Sequence, residues 1–320
     1  MGIEQQGQIG YVARFSLLNR WQRKSNQVWR NITLEVEVFS IGYGIVSMVS
    51  WGFADFLTKR IVGAVGYYRL LLYTHLVGLA PLLPLAVWFG VSIPHSMKTT
   101  GILIASGVCS FSAVFFLYRG LAVGKASIVT PVASTWAIAA MLFSFILFGE
   151  TLSLSQILCI VMVLAGILVL SMRSNADGRS NVGIAYAFAC MLFAGLNSIL
   201  FKVASKDVGE IGTLFFNRIL VTIILLVTIS FLRYPLLKIS GRSPYKSMIA
   251  AGLTEFAGMV GFIVGVGVGI VSIIAPISSA SPAVTVVLAQ VFLKENLTRM
   301  QKTAIALIIA GIVTLSILSL

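Results

Sequence analysis

Apolar residues run through this chain in windows about as long as a bilayer core is thick, separated by short polar breaks. A hydrocarbon core takes roughly 20 mainly apolar helical residues. Ten such windows can be placed, at 41–61, 67–90, 99–119, 127–148, 153–172, 182–202, 211–232, 246–267, 272–293 and 299–319. The breaks carry charge, glycine or proline, as at Lys59-Arg60, Pro94-His95, Gly149-Glu150-Thr151, Lys206-Asp207 and Gly241-Arg242-Ser243-Pro244. Between the eighth and ninth windows only Gly265, Gly267 and Gly269 interrupt the apolar run. The pattern predicts an all-α membrane protein of ten transmembrane helices.

The windows repeat. Residues 127–171 laid over 272–316 at a constant offset of 145 give 13 identities in 45 positions without a gap. Among them are Pro131, Ser134, Glu150, Gln156 and the triplet Ala165-Gly166-Ile167, which shared apolar composition does not supply in register. The earlier windows repeat more loosely: the segment from Trp51 to Lys59 lies over Ala194 to Lys202, and Arg69 over Arg218. Each copy therefore holds five spans, and an odd number turns the second copy over in the membrane. The reading is an N-terminal basic arm at 1–40, a first repeat at 41–172 and a second at 182–320, inverted relative to one another. In such a plan a solute site sits near the midplane between the copies.

Composition agrees and removes other classes. With 58% hydrophobic and 10% charged residues the chain lacks the polar skin of a soluble fold of 320 residues. The formal charge of +13 is scattered in short clusters between apolar runs and forms no continuous basic stripe, so nucleic acid is not a partner. Cys109, Cys159 and Cys190 lie inside apolar windows with no ligand-like spacing and read as small core residues. In the arm, Tyr11, Phe15, Leu18 and Trp29 can form one apolar side, leaving Arg14, Arg20, Arg23 and Arg30 for lipid phosphates.

Gly149-Glu150-Thr151-Leu152 followed by Ala165-Gly166-Ile167, echoed by Lys294-Glu295-Asn296-Leu297 and Ala310-Gly311-Ile312, resembles the tandem EamA domains of the drug/metabolite transporter superfamily. The pairs Lys59 with Arg69 and Lys202 with Arg218 resemble the same pattern. The resemblance covers roughly 41–320 and implies a ten-helix carrier of small metabolites, often working outward, without a covalent cofactor. Members often carry Glu-Pro in the middle of the fourth and ninth spans; here Trp136-Ala137 and Ser281-Pro282 stand there, so no glutamate-based coupling site is carried over. The resemblance also implies cytoplasmic termini in a multi-pass cell-membrane protein. Eight Lys and Arg on the side of the termini against fourteen on the other argue the opposite way by the positive-inside rule. Cytoplasmic termini are the adopted expectation.

Ionisable groups inside hydrocarbon are costly unless they face a cavity or a partner, which makes them the default site candidates. Asp55, His75 and Glu255 are the intramembrane groups able to bind a proton. Glu255 has no basic residue on its own helix turn and leads for proton coupling; Asp55, the second candidate, has Lys59 one turn on to hold it in an ion pair. His75 suits a relay or a plain hydrogen bond to a neighbouring helix. Arg69, Arg119 and Arg218 are expected to snorkel to headgroups. Pro282 frees the carbonyl of Ser278, and with Ser281 offers either a broken turn facing a cavity or a plain kink. Trp51, Trp136 and Asn197 complete the expected substrate pathway of Trp51, Asp55, His75, Trp136, Asn197, Glu255, Ser278 and Ser281. Glu150 and Glu295 each precede a Ser/Thr-x-x-Gln capping box, Ser153 to Gln156 and Thr298 to Gln301, and read as loop residues that fix helix starts.

No metal motif, P-loop or nucleophile elbow is present, so no cofactor is expected and ATP hydrolysis within the chain is excluded. The function expected is secondary transport, most simply export, of small metabolites or amphiphilic compounds by alternating access between the repeats. A membrane-embedded enzyme and an uncoupled facilitator or exchanger are the alternatives. The partners are a small-molecule substrate and the lipid bilayer, with a homodimer left open.

Overall fold

The computed structural model describes residues 41–91, 93–94, 96–148, 153–173, 178–234, 244–268 and 277–318. The basic arm, Glu150, Pro276 and the basic residues Lys238 and Arg242 lie outside the described residues. All described secondary structure is helical. In chain order the helices are α1 (41–65), α2 (Tyr67–Trp88), α3 (Met97–Val123), α4 (Ala126–Ala133), α5 (Trp136–Phe148) and α6 (Leu154–Arg173). After these come α7 (Gly178–Phe231), α8 (Tyr245–Val268), α9 (Ser281–Phe292) and α10 (Arg299–Leu318).

Local chemistry sets the ends. Gly66 separates α1 from α2 at φ 83°, a left-handed value that favours glycine, and the Tyr234 hydroxyl fills the place where a Cβ would stand. Ser96 caps α3, its hydroxyl accepting from the Lys98 amide at 3.2 Å. The capping box expected at Thr298 forms: Gln301 N–H donates to Thr298 Oγ1 at 3.2 Å, and Thr298 N–H to Gln301 Oε1 at 3.0 Å. Thr298→Ala is expected to cost about 1 kcal/mol, lowering the thermal unfolding midpoint of the purified protein by roughly 2 °C. An unchanged midpoint would remove the box from the account of α10.

α7 is 54 residues long but is not one rod. At Gly209 the backbone takes φ 72° and ψ 169°. Asn217 Nδ2 lies 3.5 Å from Asn197 Oδ1, whereas 20 residues of straight helix would put them about 30 Å apart. The chain therefore doubles back at Gly209, giving the two arms expected at 182–202 and 211–232. By length and composition, Tyr67–Trp88, Met97–Val123, Asn181–Phe231 and Tyr245–Gly265 can cross a membrane. The window at 127–148 is not the single helix expected; it is delivered as α4 and α5.

The break between α4 and α5 recurs in the second repeat at the 145-residue offset. Thr135 N–H bonds back to Val132 at 3.2 Å and Ile138 N–H to Thr135 at 2.9 Å. Their equivalents are Ala280 N–H to Ile277 at 3.1 Å and Ala283 N–H to Ala280 at 2.9 Å. Both copies thus tighten to three-residue bonds at the same register. Pro282 follows this break in the first turn of α9, where its missing N–H costs little. It does not sit in a helix middle, which corrects the expectation that it frees the Ser278 carbonyl.

Close packing follows the same symmetry. Gly52 of α1 lies against Val284 and the Ser281 carbonyl of α9, and Gly195 of α7 against Ala139 and Ala140 of α5. Gly166 of α6 meets Ala304 and Ile308 of α10, while Gly311 of α10 meets Met162 and Val163 of α6. The core therefore sits where the two copies meet, with Ile128, Val129, Val163, Ile308 and Ile312 in one buried cluster. Outside, Val87, Trp88 and Phe231 are more than four-fifths exposed, while inside Arg218 is only 5% exposed. Apolar outside and polar within is the arrangement of a chain solvated by lipid. Cys109, Cys159 and Cys190 are buried free thiols, as the sequence suggested.

Candidate functional site

A cavity of about 520 Å³ opens between the two copies. Its wall takes Trp51 from α1, His75 from α2, Ser110 from α3 and Trp136 from α5. From the other copy come Asn197, Asn217 and Arg218 on the two arms of α7, and Glu255, Met259 and Phe262 on α8. The exposed Lys202 and Glu210 line it as well, so it opens at the end where α7 doubles back.

Arg218 and Glu255 form an ion pair in this wall. Nη1 donates to Oε1 at 3.2 Å and Nη2 donates to Oε2. The arginine side chain is 5% exposed and the glutamate 29%, so the base lies behind the acid. Gly78 of α2 makes the space: a Cβ there would collide with the guanidinium. Nε of Arg218 is buried with no hydrogen-bond partner. His75 is buried and its Nδ1 lies 3.0 Å from the Leu71 carbonyl, which can only accept, so Nδ1 carries the hydrogen. Its bond is to its own helix, one turn back, and not to a neighbouring one.

A small polar network braces the doubled α7 against α3. Ser106 Oγ donates to Asn197 Oδ1 at 2.8 Å, and Asn217 Nδ2 donates to Ser106 Oγ at 2.9 Å. Trp51 stands over Gly258 and tilts against Phe262 with ring centroids 5.8 Å apart. Any larger residue at 258 would push the indole out of place.

At the end opposite the mouth the described residues are tied together. Arg119 sits over the rings of Tyr67 and Tyr186, each 5.2 Å away, and Phe115 at 5.8 Å. Arg69 lies 5.3 Å over Tyr234. Both arginines are thus held by aromatic faces instead of reaching freely for headgroups. Beside them the Glu295 carboxylate accepts from the amides of Ala126 and Ser127 at 3.0 and 3.1 Å and from the Ser127 hydroxyl. Lys125 Nζ donates to the Asn296 carbonyl at 3.2 Å, and Lys59 Nζ to the carbonyls of Leu121 and Gly124. Glu295 does fix a helix start, but that of α4 in the other copy. Because the end of α9 meets the start of α4 while their sides pack, the two run antiparallel.

Of the residues expected on the pathway, Trp51, His75, Trp136, Asn197 and Glu255 line the cavity. Asp55, Ser278 and Ser281 are not among its lining residues. Ser278 and Ser281 are buried, the latter with its carbonyl against Gly52. The Asp55–Lys59 pair does not form, since Lys59 reaches across to the end of α3. The premise that Glu255 lacks a basic neighbour is overturned by Arg218, which comes from another helix. Arg218 does not snorkel to headgroups as expected but is buried on Glu255, and Asn217 went unrecognised, although two adjacent strongly polar residues inside the window 211–232 were a usable signal.

The sequence model of the EamA-like transporter family matches residues 38–172 and again 181–317. The chain belongs to the EamA-like transporter family. An uncharacterized protein of Methanocaldococcus jannaschii is 55% identical over 49 residues, covering 15% of this chain. The matched stretch spans 36% of that relative's length. A protein of known crystal structure resembles this EamA-family chain with a TM-score of 0.60 at 20% identity, over 87% of this chain and 96% of that one. That likeness is one of fold. Family and apolar helices together make this a membrane-embedded protein of a transporter family.

Proposed function

We propose that the protein is a secondary transporter that carries one small solute at a time through the cavity by alternating access between its two repeats. The observation that supports this best is the asymmetry of the two ends: a mouth beside Lys202 and Glu210, and an opposite end tied together by Arg119, Tyr67, Tyr186 and the Glu295 bonds. One end open while the other is tied together is the arrangement that alternating access requires. With the termini in the cytoplasm the mouth faces the cytoplasm, since α1 begins at the same end. The conformation is then the loading state of an exporter. The chain has no nucleotide motif, so uphill transport draws on an ion or solute gradient.

The wall mixes indole and phenyl faces with hydroxyls and amides, which suits a small amphiphile. The solute is found by comparing metabolites of cells with and without the protein, and transport is then read as counterflow in liposomes. Ser110→Trp places an indole in the cavity and is expected to reduce counterflow to the level of protein-free liposomes at unchanged expression. Counterflow at the normal rate in that variant would put the route elsewhere.

A further inference from the structure

We propose that the cavity binds a small monocarboxylate with an apolar or aromatic body, and that Glu255 holds the carboxylate's place on Arg218 until the solute displaces it. For flux this rests on the transporter reading; for binding it does not.

Arginine keeps its charge at any physiological pH, so the cation at 218 is permanent and must always face an anion. Glu255 is the more exposed partner, so water in the cavity can carry its charge when the pair opens. This difference decides the sign of the solute. A cationic solute that captured Glu255 would strand the Arg218 charge in an apolar wall, with no means of neutralising it. An anionic solute that captured Arg218 would release Glu255 into the open cavity, where water solvates its charge. A neutral solute has no claim on either.

The geometry supports the exchange. Glu255 is the more exposed partner and lines the open space, while the guanidinium lies behind it over Gly78. The guanidinium is not fully used: Glu255 takes Nη1 and Nη2, and Nε is buried with no hydrogen-bond partner. Around the pair, Trp51, Trp136, Met259 and Phe262 provide faces for an apolar body. Lys202 and Glu210 at the mouth offset each other, so selection falls to the inner pair. The other titratable groups within electrostatic reach are Asp55 on α1 and Tyr118 on α3, facing Glu255, and His75 on α2, facing Arg218.

The test is calorimetric titration of the purified full-length protein with phenylacetate and with phenylacetamide, which share a shape and differ in charge. Wild type is expected to bind phenylacetate at least about tenfold more tightly than phenylacetamide. Glu255→Gln should bind phenylacetate about tenfold or more tighter, because the internal competitor is gone. Arg218→Lys should weaken phenylacetate about tenfold and leave phenylacetamide unchanged. Equal binding of the two probes by wild type overturns the proposal, and so does Glu255→Gln binding phenylacetate no tighter. The wild-type comparison stands even where a variant fails to fold. Counterflow without a preference for phenylacetate keeps the transporter and rejects this site; the preference without any flux does the reverse.

Discussion

Glu295→Ala is expected to open the sealed end and to cost more than any other single change there. The carboxylate holds two backbone amides and a hydroxyl at the first turn of α4, where Ala126 and Ser127 are fully buried and water cannot replace it. Bonds to a charged acceptor contribute roughly 1.5–3 kcal/mol each and are not additive, so a loss of about 3 kcal/mol is reasonable for the set. That corresponds to a change of more than about a hundredfold in the balance between sealed and open forms. The readout is a cysteine introduced at Ser110, in the cavity, with a membrane-impermeant thiol reagent added on the side where α4 begins. Wild type should be protected and the Glu295→Ala background labelled, with transport reduced at least about tenfold. Equal protection in both backgrounds, together with normal transport, would show that Glu295 seals nothing.

The second large effect is steric. Gly52→Val drives a branched side chain into Val284 and the Ser281 carbonyl, and Gly195→Val does the same against the Ala139–Ala140 backbone. Backbone cannot step aside as a flexible side chain can, so each substitution should cost about 3 kcal/mol or more and abolish properly folded protein in detergent. Gly63→Val is the control, since a Cβ there meets nothing within 4 Å. Monodisperse protein from the two packed variants in wild-type yield would mean that the copies are not held together at these crossings.

What could be read from the chain alone was whatever is periodic or repeated. The windows, the capping box at Thr298 and the copying of residues 127–171 are local or register signals; the box forms, the paired break recurs at the 145-residue offset, and four described helices are long and apolar enough to cross a membrane. The inner pair was not legible because Arg218 and Glu255 stand 37 residues apart on different helices, and their meeting depends on the room left by Gly78. Asp55 and Lys59 illustrate the opposite error. Their spacing permits an i,i+4 pair, but the free carbonyls at the end of α3 offered the lysine a partner that no spacing rule contains. Pro282 was misplaced by a single turn: the break falls just before it, at 279–280, so the residue begins a helix instead of bending one.

The paired breaks in the two copies carry one further consequence. Duplication by itself yields two identical leaves, and a machine with identical leaves has no preference between its mirror-related shapes. Here the leaf in the second copy opens with Ser281-Pro282, whose ring fixes the backbone, whereas the first opens with Trp136-Ala137, which leaves it free. The stiffness of the two leaves therefore differs, and on the transport reading proposed above the two shapes would differ in energy before any cargo or gradient acts. Direction in such a molecule begins as a broken symmetry in its covalent chain, one ring closed on one side and absent from the other.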